Sequence, residues 1–538
     1  MDGLNIADVL EAVAQHRTDA DALVHGDRRV SWAEFARRAD GVAHTLLTAG
    51  ARRHDKVALY LRNDPAYLET MLGCCKASLV PVNTNYRYTD DELVALWDNA
   101  DAVAVVFHGS FTDTVDRIRT RVPAVRTWVW VDDGTDACPD WARPYDEAAA
   151  GAGTISGTGR SGADLVFIYT GGTTGLPKAV MWEQDTLVRL LLADQGATEP
   201  AATAPSLAAR AADVVPGPCV IACPLMHGTG LCIALAHLME GGTVVTTPGT
   251  GFDAEVLLDT IEQQRAERLA IVGDAFARPI VEALEAHPAR WDLSSLAVVG
   301  SSGVMWSEPV KQALLAHLPG LLLLDLLGSS EALGLGSSMA TADAPGTTAR
   351  FAATELTVVV GEDGAPVEPG SGAIGRLGMV GLTPVGYYKD PERSAATFPV
   401  IDGVRYALPG DWATVAADGS IELLGRGSVC INTGGEKVFP EEVEEVCKTH
   451  DAVADVVVVG VPDERFGERV VAVVELAAGA DPDDVDGAAL VDHVRAQLAD
   501  FKVPRQVVRI DTIGRAPNGK VDYARMREHA LEELGART

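Results

Sequence analysis

Short apolar runs alternate with amphipathic stretches along most of this chain, and turn or capping residues bound each run. Ala22-Leu23-Val24 and Arg29-Val30-Ser31 flank Gly26-Asp27 and predict a hairpin. Ser31 and Glu34 have capping-box spacing, which predicts a helix running to about Gly50. Val57–Leu61 predicts a strand, Asp64 a helix cap, and Leu79–Val82 another strand. Thr89 and Glu92 repeat the capping spacing, and Ala102–Phe107 is again strand-like. Strands alternating with helices form a largely parallel sheet covered by helices.

Ala148–Gly162 is rich in Ala, Gly, Ser and Thr and reads as a linker. A second α/β unit follows. Cys219–Cys223, Val244–Thr247, Leu269–Val272, Leu296–Gly300 and Leu321–Leu324 predict buried strands, with a helix over Gly230–Glu240. From Thr354 to Ile421 the runs are short and alternating, with Asp-Gly turns, which predicts a smaller β subdomain. After Arg426 the predicted elements are a helix over Glu441–Cys447, a strand over Val456–Val459, a helix over Ala488–Leu498 and a strand over Val507–Ile510. The fold expected is α/β: a large N-terminal domain, 1–426, of two layered α/β subdomains plus a β subdomain. A small mobile α+β C-terminal lid domain, 427–538, follows.

At 538 residues one core does not suffice. The formal net charge of −32 argues against nucleic acid or an anionic membrane as a main partner. Any polyanionic ligand must therefore be met by local cations, which draws attention to Lys178 and Lys520. The eight cysteines form no CxxC pair and no zinc spacing, which predicts reduced thiols in a cytoplasmic protein. The N-terminus lacks a basic start with an apolar core, so no signal peptide is expected, and no run reaches transmembrane length.

The chemistry concentrates in Tyr169-Thr170-Gly171-Gly172-Thr173-Thr174-Gly175-Leu176-Pro177-Lys178, which follows the apolar run Leu165–Tyr169. Glycines admit a bulky anion to the backbone, amides and hydroxyls donate to phosphate oxygens, and Lys178 adds a point charge. A flexible surface loop is the bland alternative, but it would not need the strand before it or the Pro-Lys after it. A Walker A loop is excluded because Pro177 precedes the lysine and Ala179-Val180 follow it. A glutamate at a strand edge near such a loop, Glu331 in Gly328-Ser329-Ser330-Glu331, is placed to hold Mg2+.

Taken with Val299-Gly300-Ser301-Ser302-Gly303, Pro409-Gly410-Asp411-Trp412, Gly425-Arg426-Gly427-Ser428, Asn432-Thr433-Gly434-Gly435-Glu436-Lys437-Val438 and Pro517-Asn518-Gly519-Lys520, these stretches resemble the adenylate-forming superfamily in its own order. The likeness is to its acyl-CoA synthetase branch, in particular actinobacterial fatty-acyl and steroid side-chain ligases. Ala179, Leu327 and Ser428 depart from the residues usual there.

The resemblance implies ATP, Mg2+ and coenzyme A as cofactors and a small-molecule carboxylic acid as substrate. It implies that Thr170 to Gly175 and Lys178 hold phosphates, that Ser301, Ser302 and Gly303 form an adenine site, and that Gly328, Ser329 and Ser330 sit by the α-phosphate. Glu331 and Thr173 would be the metal ligands, and Asp411 and Arg426 would hold the ribose. Gly434, Gly435 and Lys437 would face CoA, and Lys520 would be the adenylation lysine. His227 is either structural or at the mouth of the acyl pocket. The pocket stretches Met226–Leu235, Val299–Met305 and Leu333–Ser338 are apolar or small, which favours an apolar acid, fatty or alicyclic. A carrier-protein acceptor and a non-catalytic nucleotide sensor are the rival readings, and a homodimer is carried as an open expectation.

Overall fold

The computed structural model describes residues 3–535 except 152, 154, 156–158, 173–174, 305, 345, 347–348, 427–428, 434–435, 464–466, 481–486, 499 and 517–518. An eight-stranded sheet has as its parallel part Val80–Asn83, Lys56–Tyr60, Ala102–His108 and Thr127–Val131. Leu165–Gly172 joins Val80–Asn83 in parallel, and Gly175–Glu183 then turns back antiparallel. A second sheet carries Asp21–His25, Val244–Thr246, Cys219–Ile221, Arg268–Ile271, Val298–Ser302 and Leu322–Ser329 as parallel neighbours. The expected hairpin Asp21–His25/Arg28–Ser31 lies at its edge.

The helix Pro65–Lys76, capped by the Asp64 carboxylate accepting the Ala66 amide at 2.8 Å, is buried along its whole length. It touches strands of both sheets. An element buried on all sides must pair its charges. Glu69 accepts from Arg38 Nε at 2.8 Å, and Lys76 donates to Asp40 at 2.8 Å. Burial still pushes the Glu69 carboxyl above its ordinary range.

Beyond Leu322–Ser329 the second sheet turns antiparallel and runs through Ala332–Ala340 and Arg350–Ala353 into the strands of 357–426, the expected β subdomain. A separate five-stranded sheet takes Ile431–Thr433, Glu436–Val438, Val453–Asp463, Gly467–Leu476 and Gln506–Arg509. It has an apolar cluster on each face, one centred on Val456, Val458 and Leu490, the other on Val457, Val459 and Met526. The stretch read as a linker is fastened at its far end, where Arg160 meets Asp8 and Glu11. Among the described residues no helix is long and apolar enough to cross a membrane.

Candidate active site

The glycine-threonine stretch is the tip of a β-hairpin. Leu165 lies opposite Glu183, and Thr170 opposite Lys178, with an irregularity between Thr170 and Gly172. Lys178 therefore stands at the base of the tip, on a strand held from both sides. Gly171, Gly172 and Gly175 belong to the two strands, whereas Thr173 and Thr174 lie outside the described residues. Asn83 locks the hairpin in place. Its buried side chain accepts the Tyr169 amide at 2.6 Å and donates to the Tyr169 carbonyl at 3.0 Å and the Met226 carbonyl at 2.7 Å. One amide thus fastens the hairpin to the turn that carries His227.

Glu331 sits on the turn between Leu322–Ser329 and Ala332–Ala340. Ser329 Oγ accepts the amides of Glu331 and Ala332 at 3.3 and 3.2 Å, and Trp182 Nε1 donates to the Ser330 carbonyl at 2.9 Å. Glu331 Oε1 accepts from the Tyr387 hydroxyl at 2.8 Å. The Lys178 ammonium lies 5.5 Å from the centre of the Tyr387 ring. Tyr387 itself pairs across strands with Val180, close to Lys178. A tyrosine that the sequence reading passed over therefore stands between the lysine and the glutamate. Asp325, in the strand leading to Glu331, has a structural role: it is buried with Lys311 at 3.0 Å.

His227 precedes the helix Gly228–Met239, and a Cβ on Gly228 would lie 3.8 Å from Ser330 Oγ. Burial, and then the charges of Lys520 and Arg87, hold its ring down to about 4, so it is neutral at pH 7. Ser302 and Gly303 are in the wall of the cavity described next. Ser301, expected beside them, instead turns into the core, where its buried hydroxyl accepts the Gly273 amide at 2.8 Å. Asp411 pairs across strands with Arg426, while Pro409 and Gly410 reach the cavity. The Arg426 and Lys437 side chains and all of Gly434 and Gly435 lie outside the description.

Lys520 follows Gly519, which adopts φ +71° and presses on Val304: a Cβ there would lie 2.8 Å from Val304 Cγ2. The Ala516 amide donates to the Lys520 carbonyl at 2.8 Å, closing the turn. Lys520 lines the same cavity as Thr170, Lys178, His227, Gly328, Ser329, Ser330 and Glu331. The cavity measures about 1280 Å³ and continues along one face of the 228–239 helix, past Thr229, Cys232, Ile233 and Ala236. Leu190 and Leu191, from the helix Gln184–Leu191, also line it, with Arg189 and Asp194 beside them. Two amines and a carboxylate in a cavity that also carries a row of apolar side chains suit a polyanion meeting the head of an apolar molecule.

The chain matches the AMP-binding enzyme family over residues 10–382 and the AMP-binding enzyme C-terminal domain over 442–520. A medium/long-chain-fatty-acid--CoA/3-oxocholest-4-en-26-oate--CoA ligase of Mycobacterium tuberculosis is 40% identical over 98% of this chain and 96% of its own length. The 3-oxocholest-4-en-26-oate--CoA ligase of Rhodococcus rhodochrous is 38% identical over 97% of this chain and 95% of its own. Among solved structures, the ATP-bound MatB of Rhodopseudomonas palustris superposes with TM-score 0.80 at 25% identity, over 99% of this chain and 100% of that one.

Proposed function

Because the chain belongs to the AMP-binding enzyme family, we propose that it is an ATP-dependent, AMP-forming acid–thiol ligase that joins an apolar carboxylic acid to coenzyme A. The observation that carries this is the meeting of Lys178, Glu331 and Lys520 in one cavity, from three widely separated parts of the chain. In the first step a carboxylate oxygen attacks the α-phosphorus of ATP and the bond to pyrophosphate breaks. Two anions must approach each other, so the protein's work is alignment and charge neutralisation. Lys178, held over the Tyr387 ring, and Lys520, brought in on its turn, flank that approach. In the second step the thiol sulfur attacks the acyl carbon, and AMP leaves with the electrons of the broken C–O bond.

Glu331 suits Mg2+, a metal that takes one or two carboxylates and completes its shell with phosphate and water. Tyr387 orients the Glu331 carboxylate, and the ion when bound neutralises phosphate charge.

The chain divides, in this proposal, into 1–426 and 427–538, and the second part turns between the two steps so that the Gly434-Gly435 segment replaces Lys520. The apolar side chains lining the cavity along the 228–239 helix support a fatty acid. The small lining residues Cys232 and Ala236, together with the names of the two relatives, support a steroid side-chain acid as the second reading. Carboxylate-dependent ATP–pyrophosphate exchange over fatty, aryl and steroid acids tests both. Exchange is expected with apolar acids and is expected to fall about 100- to 1000-fold in Lys520→Ala. Absence of exchange with every acid would sink the ligase reading, and acyl transfer to a carrier protein but not to CoA would change the acceptor.

A further inference from the structure

We propose that Arg515 is the positioning residue of Lys520, tying the lysine's turn to the C-terminal sheet through Asp455. The proposal rests on Lys520 acting in the adenylation step. From Asp511 to Asp522 the described residues form neither strand nor helix, so no backbone ladder places Lys520. The turn closes on itself through the Ala516–Lys520 backbone bond, and side chains tie it to the sheet. Glu475 accepts the Ile513 amide at 2.7 Å and holds the start of the segment. At its end, Arg515 grips Asp455 through Nε and Nη2, the latter at 2.9 Å, while Nη1 donates to the Gly519 carbonyl at 3.2 Å. That carbonyl belongs to the peptide bond whose nitrogen is Lys520's own, so the guanidinium fixes the backbone from which the lysine side chain starts.

The geometry needs arginine. A planar fork with five donors can hold a carboxylate bidentately and still aim a third nitrogen several ångströms away at a second acceptor, whereas a lysine places its three donors on a single nitrogen and cannot span the same two partners in that geometry. Asp455 is the N-terminal part of the strand Val453–Asp463, inside the sheet with an apolar cluster on each face, so the anchor is rigid. Lys448 lies 3.8 Å from Asp455, so removal of Arg515 does not leave that carboxylate without a cation. The Asp455 carboxyl is held below its ordinary range despite its burial.

The two half-reactions separate this role from plain support of the fold. Lys520 serves adenylation, whereas the thioester step starts from acyl-AMP and does not use it. Arg515→Ala should therefore lower dodecanoate-dependent ATP–pyrophosphate exchange about 10- to 100-fold, the size of misplacing a catalytic group by a fraction of its reach. Synthetic dodecanoyl-AMP plus CoA should still give dodecanoyl-CoA at the unaltered rate, which also shows that the variant is folded. Arg515→Lys should recover part of the exchange. Arg515→Ala in a Lys520→Ala background should cost nothing further, because a residue that acts through another cannot be lost twice. Equal loss of both half-reactions, or additive loss in the double variant, overturns the proposal. Full exchange in Lys520→Ala alone would instead overturn the reading of Lys520 on which it rests.

Discussion

Lys178 stands on a strand hydrogen-bonded on both sides, with Leu165–Gly172 along one edge and Gly386–Tyr387 along the other. Lys520 stands on a segment whose described residues form no strand or helix, a backbone-closed turn tied down by side chains and resting on Val304. Both face one cavity. The first belongs to a core continuous across two sheets; the second belongs to a unit with apolar clusters of its own on both faces of its sheet. A unit with its own core can turn without opening another, and segments held by few contacts are those that move at low cost. In the reading proposed above, the difference separates the half of the site that stays, with the phosphate hairpin and Glu331, from the half that leaves, with Lys520 serving only the first step.

The comparison breaks most severely where the fixed half loses its support. Lys311 and Asp325 are both buried, and Asp325 is on the strand that leads to the turn carrying Glu331. Breaking such a pair leaves an uncompensated charge, at a cost of about 3–5 kcal/mol. Lys311→Met should lower the melting temperature sharply and reduce both half-reactions together. Lys311→Met with Asp325→Leu should recover most of the stability, since an apolar pair replaces a buried ion pair at little cost. A Lys311→Met protein that lost only adenylation would show that the large unit is not the common support it is taken to be.

Much of the fold was legible in the sequence, because local patterns carried it. Thr89 and Glu92 form the expected capping box, Asp64 caps its helix as read, and the β–α alternation predicted the parallel sheets. What escaped was of two kinds. Helices such as Ala254–Gln264, Gly273–Ala286 and Tyr523–Glu533 were passed over, the second because Pro279 falls inside it. Long-range partners left no local trace either: Asn83 binds Met226, Tyr387 binds Glu331 and Arg515 binds Asp455, all far away in the chain, and no period or cap marks them. Asp325 is of the same kind: its partner is Lys311, one helix earlier.

An intermediate effect belongs to the removable half. Gly519 combines φ +71° with a Cβ position 2.8 Å from Val304 Cγ2, so alanine is opposed both by its backbone and by its neighbour. The backbone strain, about 1–3 kcal/mol, falls on the turn itself, whereas the clash with Val304 falls on its docking. Gly519→Ala should reduce pyrophosphate exchange about tenfold and lower the melting temperature slightly, with the thioester step unchanged. A fall in the thioester step as well would place this turn in both arrangements of the site.

The smallest effect is electrostatic and reads the contact between the halves directly. His227 belongs to the fixed half, and its ring is held down to about 4, first by burial and then by the charge of Lys520. A folded-state value below the ordinary 6.5 means that the unfolded chain binds a proton more readily. Its contribution to stability is therefore complete above the ordinary value and is lost as the pH falls through the folded one. With carbon-labelled histidine, the His227 signal should stay neutral from pH 8 down to pH 5 in the unaltered protein, by about one unit of margin. Lys520→Ala should raise its midpoint by part of the displacement only, because burial is the larger cause and remains. Arg515→Ala should raise it by less than Lys520→Ala, since the charge is then misplaced rather than removed. If neither variant moves the signal, the lysine does not dwell beside His227 in solution, and the removable half rests elsewhere.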